Sequence, residues 1–477
     1  MTVNSKKIIT IITAAVALLY TGIIVGWHLY TPRDGLTIQN PGADNRPEGT
    51  ARSIDDVHIG LNFMRYDDIV SNLTGKWTKF RGANLDNIIV APETLNFPEG
   101  DFPVVWSVET GEGYAAPVIY NGRFYILDYD EALSSDALRC FDLATGRELW
   151  RRWYRVQVRK NHGFSRTVPA IGEGYIITIG PRGHVMSCDP ITGEMLWSID
   201  MQKEFGSIIP DWHLAQCPLV VDGVLILATA GEEILMIGVD VLTGETLWTT
   251  PNTPNFDLTH SSVTPMTLAG KKMYVYIGIG GVGGVSAEGA DIGELLWETS
   301  RWHPARQGSP SPLQISPNRM FVSAGYGTGG AVLQIDRQGD RWAASVVEQW
   351  KPDAGMSSET HTPILYNNML ITVFPKSVPG NRERLSIYSP SNLRAPVWTS
   401  EAGVFFGNGP FTIINNYLFA LMDIGELRVY EIQQNGMRFV KQQHLFESVE
   451  AGGPLAYADG LLLLGDMHEI KALRISD

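Results

Sequence analysis

"DLATGRELW" at residues 142–150 returns as "DPITGEMLW" at 189–197 and again as "DVLTGETLW" at 240–248. The shared pattern is Asp-x-x-Thr-Gly-x-x-Leu-Trp. In a tight turn of this kind the Asp carboxylate accepts hydrogen bonds from backbone N–H groups, and Gly takes the left-handed conformation. The Trp then ends a strand, where its ring buries a large apolar area against a neighbouring unit and its N–H finds a partner. Two residues before each Asp stand Cys140, Ser187 and Gly238, all small enough to let a ring approach. The pattern therefore reads as a structural lock between repeats, carried by Asp142, Gly146, Trp150, Asp189, Gly193, Trp197, Asp240, Gly244 and Trp248. A partial fourth copy, "AEGADIGELLW", ends at Trp297 with Gly289 in place of the Asp.

Outward from these turns lies a second signature: a small or polar pair, a proline, an apolar run, a turn and another apolar run. It occurs at Pro117, Pro169, Pro218, Pro265, Pro312, Pro363, Pro410 and Pro454, with neighbouring prolines 44 to 52 residues apart. "YNG", "VDG" and "ADG" supply the positive φ of hairpin turns. In the clearest copies two more strands follow, one on each side of the Asp-x-x-Thr-Gly turn. Four short strands per period of forty to fifty residues predict an all-β, eight-bladed β-propeller of four-stranded antiparallel blades over 102–477. The eighth Pro hairpin has no Trp strand after it, and "FPVVW" at 102–106 has no hairpin of its own. The early strand is expected to complete the last blade and remove an open edge. Residues 77–101, opening "WTKFRGANLDN", are expected to pack against the outside of the propeller.

The repeat resembles the tryptophan-docking repeat of quinoprotein alcohol dehydrogenases and of BamB-like PQQ propellers, and the likeness spans most of the chain. The resemblance implies the propeller fold. For the dehydrogenases it also implies a quinone in the central region, held by calcium above a vicinal disulfide. Cys140, Cys188 and Cys217 contain no adjacent pair and no CxxCH haem site, so no cofactor is expected, with PQQ or a metal ion as the alternative.

Lys6 and Lys7 precede an uncharged apolar run over 8–30. As a helix it is about 35 Å long, enough to cross a bilayer. Residues 1–30 are read as a cytoplasmic stub and transmembrane signal-anchor, and 31–76 as a polar tether. The net charge of −14 and the lack of a basic cluster argue against nucleic acid as a partner.

"GIGGVG" at 278–283 and "GYGTGG" at 325–330 match GxGxxG, but neither opens a helix, so both are turn glycines. The loops entering the prolines are richer. They gather His162, Arg166, Asp211, His213, His260, His303, Arg306, Glu359 and His361 on one face of the predicted ring. This rim is the candidate ligand-binding site, and no catalytic residue is assigned. A metal there is left undecided. The expected protein is a single-pass protein of the cytoplasmic membrane whose propeller faces the periplasm and binds an envelope protein or peptide without catalysis. The alternative is an envelope oxidoreductase or a metal-dependent enzyme using the His-rich rim.

Overall fold

The computed structural model describes residues 3–29, 57–339, 341–447 and 450–476. The chain divides into two units, Met1–Asp56 and Val57–Asp477. The described residues of the first form an α-helix, Val3–Leu29. Its window Thr10–Trp27 is long and apolar enough to cross a membrane, and its side chains are exposed. The part of the expected tether at 31–56 lies outside the described residues.

The second unit is an eight-bladed β-propeller of antiparallel blades. The innermost strands, in blade order 1 to 8, are Val118–Tyr120, Ala170–Gly172, Leu219–Val221, Thr264–Leu268, Leu313–Ser316, Ile364–Tyr366, Phe411–Ile414 and Ala456–Ala458. Each begins one or two residues after a repeat proline, except in blade 4, where Pro265 lies inside the strand. The turn to the second strand uses Asn121-Gly122, Asp222-Gly223 and Asp459-Gly460, all six residues at positive φ. That geometry suits the twist of a two-residue hairpin. Closure follows the sequence-based expectation: Val104–Glu109 pairs antiparallel with Glu469–Arg474 as the outer strand of blade 8.

The repeated Trp is now placed. A register shift after the small residue sets Cys140 opposite Trp150, Ser187 opposite Trp197, Gly238 opposite Trp248 and Gly284 opposite Trp297. Each of these rings stands against the small residue of its own blade, and those of Trp106, Trp150, Trp197 and Trp248 reach the turn glycine of the next. A Cβ on Gly146 would come within 2.9 Å of the Trp106 ring, on Gly193 within 3.0 Å of Trp150, on Gly244 within 2.6 Å of Trp197 and on Gly293 within 2.9 Å of Trp248. These turn glycines also have φ between 70° and 85°, so both conformation and close approach exclude a side chain. The indoles of Trp106 and Trp197 donate to Leu143 O (2.8 Å) and Val241 O (2.9 Å), the residues just after the turn aspartates. The aspartates hold their turns: Asp142 Oδ1 accepts from the Thr145 N–H at 2.9 Å, and Asp240 Oδ1 from the Thr243 N–H at 2.8 Å.

Two expectations are corrected. Residues 57–76 belong with the propeller. Asn62–Arg65 adds a strand to the outer edge of blade 1, and Ser71 N–H donates to Asp142 Oδ2 at 2.6 Å. The lead-in does not pack against the outside either. Lys76–Trp77 pairs with the inner edge of Val118–Tyr120 in blade 1, and Ile88–Ile89 runs parallel to Ile413–Ile414 in blade 7. Between them Thr78 O accepts from Ile171 N in blade 2. Arg81 Nη2 donates to Pro363 O at 3.1 Å, beside blade 6. Phe80, Arg81 and Leu85 lie against Pro218, Ser262 and Ser311 of blades 3 to 5. Residues 76–89 therefore cross the central channel. They lie on the free inner edges of the blades, whose unpaired backbone groups this segment satisfies. Arg81, Gly82, Leu85 and Asn87 at positive φ make the reversal.

Candidate functional site

The loops entering the inner strands form one face around the channel mouth, and segment 76–89 is the floor beneath it. Among the sequence-selected residues, His162 and Arg166 come together. His162 Nδ1 lies 3.7 Å from Glu450 Oε1, and Arg166 Nη2 donates to Asn161 O. Tyr114 joins them, its hydroxyl donating to Glu450 Oε2 at 3.0 Å.

The other histidines are engaged differently. His213 Nε2 donates to Arg159 O at 2.6 Å, His260 Nε2 to His213 O at 3.0 Å, and His361 Nε2 to Gly409 O at 2.6 Å. Each reaches a backbone carbonyl about fifty residues away, across a blade junction. A ring nitrogen facing a carbonyl must carry the proton. These imidazoles therefore tie successive loops of the mouth together. Glu359 Oε2 accepts from the Lys376 N–H at 3.2 Å. His303 contacts Pro304 O, and Asp211, His303 and Arg306 are exposed. The nine residues share a face but do not converge on one point. Among the described residues no group of three or more His, Cys, Asp or Glu side chains is arranged to hold a metal.

Sequence reading missed several members of the mouth. Tyr114 and Glu450 sit three and four residues before Pro117 and Pro454; extending the same search to blades 1 and 8 would have found them. Trp212 and Tyr326 stack with ring centroids 5.3 Å apart, a pairing between loops of blades 3 and 5 with no sequence signal. Arg81 was missed because nothing local marks a segment that enters a channel.

Electrostatics follow burial. Burial holds the His260 imidazole down at about 4, with Arg166 adding to the effect. His213 and His361 are also lowered by burial. Asp423 behind the mouth is raised to about 6 by burial, against the Asn408 N–H it accepts at 2.7 Å. At the junction of blades 1 and 2, burial raises Asp136 to about 7 although Tyr154 donates to its Oδ2 at 2.8 Å. The two kinds of group act with opposite sign on stability. Asp136 contributes stability that is whole below about pH 4 and lost as pH rises through 7, about 4 kcal/mol in all. His260 contributes stability that is whole above about pH 6.5 and lost as pH falls toward 4, about 3 kcal/mol. Asp136→Asn is expected to stabilise the protein at pH 8 and to make its Tm fall more steeply than the wild type between pH 7 and 4.5. Thermal melts across that range check this, and parallel profiles for the two proteins would contradict it.

The resemblance to quinoproteins raises the question of room for a quinone. Phe80 and Arg81 stand on the axis, and the cavity left beside them and blades 6 to 8 is about 120 Å³. Cys140, Cys188 and Cys217 are buried free thiols, none adjacent in sequence. The residues on the channel axis do not fit the quinone.

With this geometry in hand, comparison places the chain among known propellers. Residues 134–374 match the family described as outer membrane protein assembly factor BamB. A search of curated proteins gives no match. Among solved structures, the quinohemoprotein alcohol dehydrogenase from Comamonas testosteroni superposes with a TM-score of 0.54 at 11% identity, covering 84% of this chain and 80% of its own. The computationally designed Ika8 protein gives 0.50 at 13% identity, covering 78% and 99%. BamB from Moraxella catarrhalis gives 0.49 at 11% identity, covering 78% and 100%. At such identities the likeness to an enzyme and to a designed protein alike speaks for the fold alone.

Proposed function

The chain belongs to the family of the outer membrane protein assembly factor BamB, and from that membership we propose that it is a membrane-anchored, non-catalytic platform docking a protein or peptide on the channel-mouth face of its propeller. In this reading the helix Val3–Leu29 is the single-span anchor. Lys6 and Lys7 stay cytoplasmic, and the propeller works on the periplasmic side.

The observation that carries the proposal is how the mouth uses its polar residues. His213, His260 and His361 spend a ring nitrogen on neighbouring backbone carbonyls. They thereby fix the loops as a preformed surface, which lowers the ordering cost of binding. On that surface stand exposed apolar side chains: Ile208 is 70% exposed, Tyr326 54% and Phe405 50%. Aromatic residues on a rigid rim are the usual anchors of protein interfaces. An assembly factor, as the family's description has it, works by binding other proteins.

Site-specific photo-crosslinking in native membranes tests the proposal. A photoreactive residue at Tyr326 or Phe405 is expected to give a discrete adduct. The same residue at Leu242, which is exposed on the opposite face, is expected to give none. Equal labelling from Leu242, or no adduct from either mouth position, would overturn the proposal.

A further inference from the structure

Arg81 is the floor of the mouth and is chemically unfinished. It is 4% exposed. Nη2 is taken by Pro363 O, and Nε is enclosed with no hydrogen-bond partner. Among the described residues no carboxylate lies within ion-pair distance of it. Asp86, in the same segment, is the acid whose field it feels, and that side chain instead accepts from the Ile88 N–H at 3.0 Å. Burial pulls the guanidinium down to about 10, so it stays charged at neutral pH. Burying a charge without a counter-charge is costly, and proteins ordinarily pair it. Here, in a chain of net charge −14, the fold brings no acid into ion-pair contact with it among the described residues.

The cavity beside Arg81 has two kinds of wall. Phe80, Pro410, Phe411 and Leu455 are apolar; Thr360, His361 and Asn408 are polar, and no acidic residue lines it. Its volume is about 120 Å³, and it reaches the surface at Thr360, which is exposed. The geometry points to a binding site for an organic carboxylate: the carboxylate at Arg81, the hydroxyl and amide of Thr360 and Asn408 at its flank, and a short aliphatic body against Phe80 and Phe411. The apolar wall favours an organic acid over a hydrated inorganic anion, because only the former gains from burial there. The inference rests on the platform reading and deepens it. The carboxylate belongs either to a free small acid or to the C-terminus of a docked peptide.

The test uses the full chain in detergent with butyrate, the peptide Ala-Ala-Val and its C-terminal amide as probes, and chloride at equal ionic strength as control. A saturable rise in Tm of roughly 2 °C at ten times Kd is expected with butyrate, together with saturation transfer to its methyl resonance. Arg81→Gln is expected to abolish both. Thr360→Glu, an exposed change that brings an internal carboxylate to the cavity mouth, is expected to raise the basal Tm and remove the butyrate response in a protein that still folds. A stronger response to Ala-Ala-Val than to butyrate, absent with the amide, assigns the site to a peptide terminus; the reverse assigns it to a free acid. A response to chloride as large as that to butyrate, or one that survives both substitutions, overturns the site. Crosslinking from Tyr326 does not involve Arg81, so it reports separately on the platform.

Discussion

Replacing Trp197 with alanine is expected to destabilise the propeller by about 3–5 kcal/mol, the range for emptying a buried large aromatic position. Trp197 is 9% exposed. Its ring lies over Ser187 in its own blade and against Gly244 in the next, and its indole is the donor to Val241 O. The substitution opens a cavity at the junction of blades 2 and 3 and removes the shorter of two hydrogen bonds to that carbonyl, which keeps only the Ser187 hydroxyl at 3.3 Å, two losses that add. Urea denaturation of the folded chain gives the number. Trp150→Ala is expected to lose packing without the second loss, because the Trp150 indole nitrogen is buried with no partner. If Trp197→Ala cost less than about 1 kcal/mol, the lock between blades would not depend on the ring.

Deleting residues 57–109 is expected to have the larger effect, the loss of cooperative folding. The deletion removes Val104–Glu109, and with it the outer pairing of Glu469–Arg474. Trp106 goes too, whose ring stacks on Phe124 at 4.7 Å and spans the junction of blades 8 and 1. So does segment 76–89, which satisfies inner-edge backbone groups in blades 1, 2 and 7. What remains is an open ring with an exposed edge, a template for association. Far-UV circular dichroism and size exclusion are expected to show aggregated or non-cooperative material. A monomeric variant with a sharp denaturation curve would contradict the closure described here.

The repeat was legible because its determinants are local. Asp142 and Thr145 are three residues apart, Asn-Gly and Asp-Gly fix hairpin turns by their own φ preferences, and each proline marks one inner strand. The closing strand was legible by count, a Trp strand without a hairpin and a hairpin without a Trp strand. The channel segment was not legible, because its partners lie far away in sequence: Arg81 and Pro363 are 282 residues apart, and Asn87 and Phe411 are 324. The mouth was half legible. The loops before the prolines do border the channel mouth, and the histidines in them are polar groups near a channel. Whether an imidazole is free or spent depends on a carbonyl one blade away, and no pattern of side chains encodes that position.

The central claim is that residues 76–89 close the channel and leave the mouth as the working face. It is tested most directly by titrating pyrroloquinoline quinone, with calcium, into the detergent-solubilised full chain while following quinone absorbance and protein Tm. The account predicts no saturable spectral change and no rise in Tm, with the wild type behaving like an Arg81→Gln variant. Stoichiometric binding of the quinone would show that segment 76–89 gives way, and that the protein works through its channel.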